Sequence, residues 1–104
     1  MIDDKIYINI LLDFYENLLT KRQLEILDLY YRKDFSMNEI AEEFKISKSA
    51  VSDLVRRTIK QLHNYEHKLH NYQLFQKRLA LYDQLAALNN PIIDVIVNKL
   101  KESE

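Results

Sequence analysis

Apolar residues recur every three or four positions through most of this chain, which is the spacing of amphipathic helices. The first segment predicts a helix that begins near Asp3 and buries one apolar stripe, formed by Ile6, Ile10, Leu11, Phe14 and Leu18. The chain contains no glycine and a single proline, Pro91, so it lacks the usual residues of β-hairpin turns and glycine-rich phosphate loops. The pattern therefore predicts an all-α fold.

Three hydroxyl side chains mark further predicted helix starts. Thr20 is followed three residues later by Gln23, which is the spacing of a capping box. Ser36 and Glu39 repeat that spacing, and Ser47 has the position of a cap before another apolar run. These caps predict a helical core over residues 20–60.

The segment from Ser36 to Lys60 is predicted to form a helix-turn-helix. Two short helices cross at a steep angle where a small residue lies at their contact, and Ala41 is that residue, with Val51 seating the second helix. Lys45 falls in the turn, where a left-handed backbone costs a lysine about 1 kcal/mol. We expect the turn to form despite this cost.

The second helix of this motif has a polar face opposite its apolar face, and such a face enters the major groove in helix-turn-helix proteins. The predicted DNA-contacting residues on it are Ser47, Lys48, Ser49, Ser52, Arg56, Arg57 and Lys60. The first three could contact base edges or phosphates, and the basic side chains further along suit phosphates. Asp53 also lies on this face, and we expect it to pair with Arg57 at the i, i+4 spacing. The alternative is a structural corner whose basic residues only solvate the surface.

Charge is unevenly distributed although the net charge is −1. Residues 1–44 carry 5 basic and 10 acidic side chains, residues 45–60 carry 5 and 1, and residues 61–104 carry 5 of each. A local basic segment in an otherwise acidic chain is compatible with phosphate contacts of modest affinity.

The apolar spacing continues from Leu62 to Ala86, with a predicted bend near Asn71. A second apolar row makes this region more apolar than a solvent-facing helix requires, and it consists of Leu74, Leu81 and Leu88. Burial against a partner is therefore expected. We interpret residues 1–104 as a single helical domain in which residues 61–104 form an extension that mediates homodimer formation.

A final helix is predicted at the C-terminal end of the sequence. Asn90 and Pro91 have the character of its cap and first residue, because proline lacks an N–H that this position leaves unbonded. The last residues, from Lys101 to Glu104, are expected to fray.

The stretch "LTKRQLEILDLYYRKDFSMNEIAEEFKISKSAVSDLVRR", followed by "LHNYEHKLH", resembles the YlxM-like family of DNA-binding proteins associated with the signal recognition particle. The first part is also similar to the fourth region of bacterial sigma factors. The resemblance implies a small bacterial helical protein that acts as a regulator linked to the signal recognition particle pathway. The expected binding of double-stranded DNA rests on the helix-turn-helix geometry and not on a family site. The sequence departs from related motifs at Lys45, where asparagine or glycine is common.

A second hypothesis is an accessory factor that docks onto protein or RNA of the signal recognition particle without sequence-specific DNA binding. The acidic first half of the chain favours it. The row of Lys48, Ser52, Arg56 and Lys60 discriminates between the two hypotheses, because DNA binding requires this row.

His63, His67 and His70 fall at i, i+4 and i+7, a spacing that can bind zinc on one helical face. No later histidine or cysteine completes such a site, so no metal is predicted. The alternative is a histidine face that senses pH at a subunit contact.

Several functional classes are disfavoured by composition. Cysteine is absent, and no serine, histidine and acid follow the order of a known catalytic triad, so neither an enzyme nor a cofactor is predicted. No apolar run is long enough to span a bilayer, which predicts no membrane insertion. The first residues lack the features of a secretory signal, and we therefore expect a cytoplasmic protein.

Overall fold

The computed structural model describes residues 4–104, and the predicted all-α class is confirmed over that range. The helices are α1 (Lys5–Tyr15), α2 (Lys21–Leu27), α3 (Met37–Phe44), α4 (Lys48–Leu69), α5 (Asn71–Ala86) and α6 (Pro91–Glu102). A 3-10 turn (Glu16–Leu18) follows α1, and a π-helical turn (Asp28–Arg32) follows α2.

The chain divides into two compact units. The N-terminal unit ends at His70 and contains α1 to α4, and the C-terminal unit, Asn71–Glu104, contains α5 and α6. Residue 61, where the helical extension is predicted to start, lies inside α4. The single-domain organisation stays a prediction.

The predicted caps are confirmed by hydrogen bonds. The backbone N–H of Gln23 donates to Thr20 Oγ1 at 3.2 Å, and the backbone N–H of Thr20 donates to Gln23 Oε1 at 2.9 Å. Ser36 and Glu39 form the same reciprocal pair at 3.0 Å and 2.8 Å. Each box satisfies two amides that a helix start would otherwise leave unbonded, which fixes where α2 and α3 begin.

The predicted buried stripe of α1 is partly wrong. Ile6 is 72% exposed and Leu18 is 50% exposed. Leu18 leaves the stripe because α1 ends at Tyr15 and the backbone tightens into the 3-10 turn. The face that packs against the core is instead formed by Ile8, Leu11, Leu12 and Tyr15.

The start of α1 also differs slightly from the prediction. The helix begins at Lys5, and the Asp4 carboxylate caps it by accepting from the Ile6 N–H at 2.9 Å. The predicted start at Asp3 lies outside the described residues.

The core of the N-terminal unit is apolar and includes residues from all four helices. Its other buried members are Ile26, Leu27, Tyr31, Ile40, Ala41, Val51, Val55 and Leu62. Two polar side chains are buried with them, and both have partners: Thr58 Oγ1 donates to the Leu54 carbonyl at 2.8 Å, and the Tyr15 hydroxyl donates to Glu66 Oε1 at 2.5 Å. Burial without such bonds would destabilise the fold.

Arg32 connects the π-helical turn to α1. Its guanidinium lies 2.6 Å from Asp13 Oδ1, 3.1 Å from Glu16 Oε1 and 3.3 Å from Asp28 Oδ1. These ion pairs hold the turn, and with it Asp28, in a defined position beside α1.

The helix is interrupted next to Asn71, at the position where the sequence predicts a bend. His70 adopts a left-handed conformation with φ 56° and ends α4, and Asn71 begins α5. The predicted start of the last helix is also confirmed, since Asn90 Oδ1 accepts from the Ile92 N–H at 2.9 Å and Pro91 is the first residue of α6.

The predicted fraying of the C-terminal tail is wrong. The α6 helix continues to Glu102, and the Glu104 carboxylate accepts hydrogen bonds from the Tyr82 hydroxyl and, at 3.0 Å, from Arg78 Nε. The bond from Tyr82 lowers the pKa of Glu104 and raises the pKa of Tyr82. This contact anchors the last residue within the C-terminal unit.

Candidate nucleic-acid interface

The turn between α3 and α4 is tight. Lys45 ends α3 in the left-handed region, with φ 56° and ψ 45°, as the sequence predicts for this position. The Ile46 N–H donates to the Ala41 carbonyl at 3.0 Å and the Lys45 N–H to the Glu42 carbonyl at 3.3 Å, which is the pattern of a Schellman motif. The next residue, Ser47, already caps α4. Three residues therefore reverse the chain and fix the two helices of the motif.

The helix-turn-helix prediction is confirmed at the contact between its helices. Ile40 and Val51 are fully buried, and Ala41 is only 9% exposed. A small side chain at Ala41 lets α3 and α4 pack closely, and α4 consequently turns its opposite face outward.

The start of α4 presents three of the predicted contact residues. Ser47, Lys48 and Ser49 are all exposed. Ser47 Oγ accepts from the Ala50 N–H at 3.0 Å and lies 3.2 Å from Ser49 Oγ. Ser47 therefore also has a structural role, whereas Lys48 projects into solvent.

Four of the predicted contact residues, spaced by four, form what we call the polar row: Lys48, Ser52, Arg56 and Lys60. Three of them are exposed, and Ser52 is half-buried. At a rise of about 1.5 Å per residue the row extends about 18 Å along α4. That length corresponds to roughly five nucleotides of a strand at about 3.4 Å each.

The predicted pairing of Asp53 with Arg57 is confirmed, with Arg57 Nε 2.9 Å from Asp53 Oδ2. Sequence reasoning missed a second partner, Arg56, whose Nη2 lies 2.7 Å from Asp53 Oδ1. The i, i+3 spacing of Arg56 to Asp53 is the signal that could have found it. Both arginine side chains remain about 70% exposed, so these are weak, solvent-screened ion pairs.

Lys48 and Lys60 form neither an ion pair nor a side-chain hydrogen bond within residues 4–104. The face thus presents four cations against one carboxylate, and two of the four are unpaired. This electrostatic arrangement suits the binding of an anion such as a phosphate backbone.

Sequence reasoning also missed an apolar pocket of about 230 Å³ beside the polar row. Ser52 and Arg56 line one side of it, and the other lining residues are Tyr30, Tyr31, Met37, Val55 and Ile59. Ser52, the half-buried member of the row, thus lines this pocket.

The three histidines do not share one helical face. His70 follows the end of α4 in a left-handed conformation, because the helix stops at Leu69. The His63 ring lies 5.7 Å from the Tyr7 ring, and the His67 and His70 rings are 6.4 Å apart. Within residues 4–104, no three histidine or acidic side chains are arranged to hold a metal ion.

The similarity of this chain to known proteins covers more than the helix-turn-helix. A family described as "Putative helix-turn-helix protein, YlxM / p13 like" matches residues 2–102. This chain belongs to the YlxM/p13-like family. The family is also designated UPF0122, and its match covers both compact units.

Named relatives come from several bacteria. A UPF0122 protein of Oceanobacillus iheyensis is 39% identical over 103 residues, which cover 98% of each chain. One from Staphylococcus epidermidis is 43% identical, covering 92% of this chain and 89% of the relative. One from Pediococcus pentosaceus is 48% identical, covering 80% and 74%.

Among the helices of residues 4–104, none has both the length and the apolar character needed to cross a bilayer.

Proposed function

We propose that this YlxM/p13-like protein is a regulator that binds duplex DNA by placing α4 in the major groove. The observation that carries the proposal is the polar row, which lies on the outward face of the second helix of a helix-turn-helix. The major groove of B-DNA admits an α-helix, and in this motif the residues near the helix start reach the base edges.

The contact residues divide by chemistry. Ser47, Lys48 and Ser49 at the start of α4 contact base edges and the adjacent phosphates. Arg56, Arg57 and Lys60, two to three turns further along, contact phosphates, while Ser52 lies between the two groups. The proposed role is binding, without catalysis or a cofactor, and regulation of transcription in the cytoplasm is the process that it fits.

We further propose that the C-terminal unit forms a homodimer. Its 34 residues bury only Tyr82 and Val97 among the large apolar side chains. Eight others are at least 40% exposed: Leu74, Leu79, Leu81, Leu88, Ile92, Val95, Ile96 and Leu100. A two-helix hairpin of this size is too small to bury a core of its own, whereas two copies can form a four-helix bundle.

A second copy also suits the function, because a dimer presents two α4 helices to two half-sites about one helical turn of DNA apart. Light scattering at micromolar concentration tests this part. A dimeric mass that becomes monomeric in Leu81→Glu with Ile96→Glu is expected, and a monomeric mass of the native chain would refute it.

A second candidate function is docking onto protein or RNA of the signal recognition particle, as the YlxM-like resemblance implies. The observation that favours docking onto protein is Asp53, which pairs with both Arg56 and Arg57 and reduces the positive charge available to any phosphate backbone. The acidic excess of residues 1–44 favours it as well.

Amide chemical-shift mapping separates the two candidates. Titration of the labelled protein with a duplex should shift amides of residues 47–60 most, and alanine at all four positions of the polar row should abolish those shifts. Unchanged shifts in that variant, or shifts confined to other helices, would reject α4 as the DNA-binding element and favour docking to the particle.

A further inference from the structure

The N-terminal unit contains a second pocket that none of the predicted DNA contacts lines. It has a volume of about 350 Å³ and lies among α2, the π-helical turn and α3. Its apolar lining consists of Leu29, Phe35 and Phe44, all half-buried. Its polar lining consists of Glu25, Asp28, Lys33 and Glu43. The pocket is thus an apolar recess with three carboxylates around it.

The three carboxylates differ in whether a basic side chain of the protein pairs with them. Asp28 lies 3.3 Å from Arg32 and 3.2 Å from Lys33 Nζ, so its charge is already neutralised. Glu25 and Glu43 are exposed and form no ion pair within residues 4–104. Two uncompensated negative charges therefore flank the apolar recess, and they favour a cationic occupant.

One aromatic wall of the pocket already contacts a cation of the chain itself. The Arg22 guanidinium lies 5.0 Å from the centre of the Phe44 ring. This distance is within the range of cation–π attraction, which shows that the surroundings of Phe44 accommodate a guanidinium. Together with the unpaired carboxylates, this contact indicates that the pocket accepts a ligand with cationic groups beside an apolar one.

We propose that this pocket, which we call the acidic pocket, binds a basic amphipathic helix of a protein partner. An apolar side chain of the partner enters between Phe35 and Phe44, and lysine or arginine side chains one turn away pair with Glu25 and Glu43. A helix that lays apolar anchors into a groove is a common mode of peptide recognition. A phosphate backbone is disfavoured here, because the same carboxylates would repel it.

The acidic pocket does not share residues with the polar row of α4. The polar row lies on the second helix of the motif, whereas the pocket is lined by α2, α3 and the turns beside them. The proposal consequently stands independently of DNA binding.

The probe is a fluorescein-labelled helical peptide with leucines at helical spacing and lysines elsewhere, measured by fluorescence anisotropy against the full chain. We expect saturable binding that weakens at least tenfold in Glu25→Gln with Glu43→Gln. The matched control is Asp94→Asn with Glu102→Gln, which removes two exposed carboxylates from α6 and should change binding less than twofold. Circular dichroism checks that each variant retains its helices.

Two altered peptides test the two halves of the recognition. Replacing the lysines with glutamates should abolish binding, and replacing the leucines with serines should weaken it at least tenfold. Equal binding by the pocket variant and its control would overturn the proposal, as would peptide binding that does not weaken when the leucines are replaced. Loss of the dimeric mass in the pocket variant would also overturn it, by assigning the pocket to a second copy of this chain.

Discussion

Asp53 Oδ2 lies 2.9 Å from Nε of Arg57, one helical turn away on the outward face of α4. The same carboxylate holds Arg56 at 2.7 Å. The basic face therefore carries its own counterion, which phosphates would replace in the proposed complex with DNA. Because all three side chains are substantially exposed, this exchange requires little rearrangement.

Removal of that counterion should strengthen DNA binding. In Asp53→Asn the two arginines lose their competing partner, and a surface charge interaction of about 1 kcal/mol corresponds to roughly fivefold in affinity. We expect the dissociation constant for a random duplex at low salt to fall about threefold to tenfold, measured by anisotropy. Asp83→Asn on α5 is the matched control and should have no effect; a weaker complex with Asp53→Asn would show that the carboxylate contacts DNA favourably.

The backbone at Lys45 makes a prediction about stability. A left-handed backbone conformation is unfavourable for any residue that carries a Cβ atom, and glycine carries none. Lys45→Gly should therefore stabilise the fold by about 1 kcal/mol. Lys45→Val should destabilise it by a similar or larger amount. Lys60→Gly, in the interior of α4, should instead cost about 1 kcal/mol. Urea denaturation measures all three, and stabilisation at both glycine positions would contradict the assignment.

The buried hydrogen bond between Tyr15 and Glu66 links α1 to the last turns of α4. Tyr15→Phe deletes the donor and leaves the carboxylate without this bond, which should destabilise the protein by about 1–3 kcal/mol. In a double-mutant cycle, Glu66→Leu should recover part of that loss when combined with Tyr15→Phe. Strictly additive effects in urea would show that the two groups do not interact.

The capping box of α3 predicts a dependence of stability on pH. Hydrogen bonds from Ser36 lower the pKa of Glu39 in the folded protein, so the ionised side chain stabilises the fold at neutral pH. That contribution is complete above the ordinary glutamate pKa of about 4.3 and is lost as pH falls through the lowered value.

The matching variants are Glu39→Gln and Glu42→Gln, which remove one charge each from α3. The stability difference between native protein and Glu39→Gln should be largest at neutral pH and shrink below about pH 4, since the glutamine does not titrate. Glu42→Gln lies outside the capping box and should show no comparable trend. A stability difference that grows as the pH falls would contradict a lowered pKa for Glu39 in the folded protein.

Local features of the fold were predictable because they depend on neighbouring residues. The two capping boxes, the Ser47 cap and the left-handed turn at Lys45 each involve positions within five residues of one another. Their hydrogen bonds form wherever the backbone follows the helical path that the sequence favours. The starts of α2, α3 and α4 and the turn of the motif therefore followed from residue types and spacing.

Long-range features were less accessible. Periodicity shows that α1 has an apolar face but not where α1 ends or how far its core contacts extend, so Ile6 and Leu18 were assigned to the core although they are exposed. The anchoring of Glu104 by Tyr82 joins residues 22 positions apart, and no local signal identifies it. The acidic pocket likewise arises from three separate segments of the chain.

Binding of a fluorescein-labelled duplex across a salt series tests the central claim most directly. Native protein is compared with one triple variant in α4, which combines Lys48→Ala, Arg56→Ala and Lys60→Ala. The control is a triple variant with the same loss of charge in the C-terminal unit, which combines Lys77→Ala, Lys99→Ala and Lys101→Ala. We predict saturable binding that weakens with salt, is lost in the α4 variant and persists in the control. Absence of native binding at low salt, or equal loss in both variants, would contradict the proposal that α4 is a DNA-reading helix.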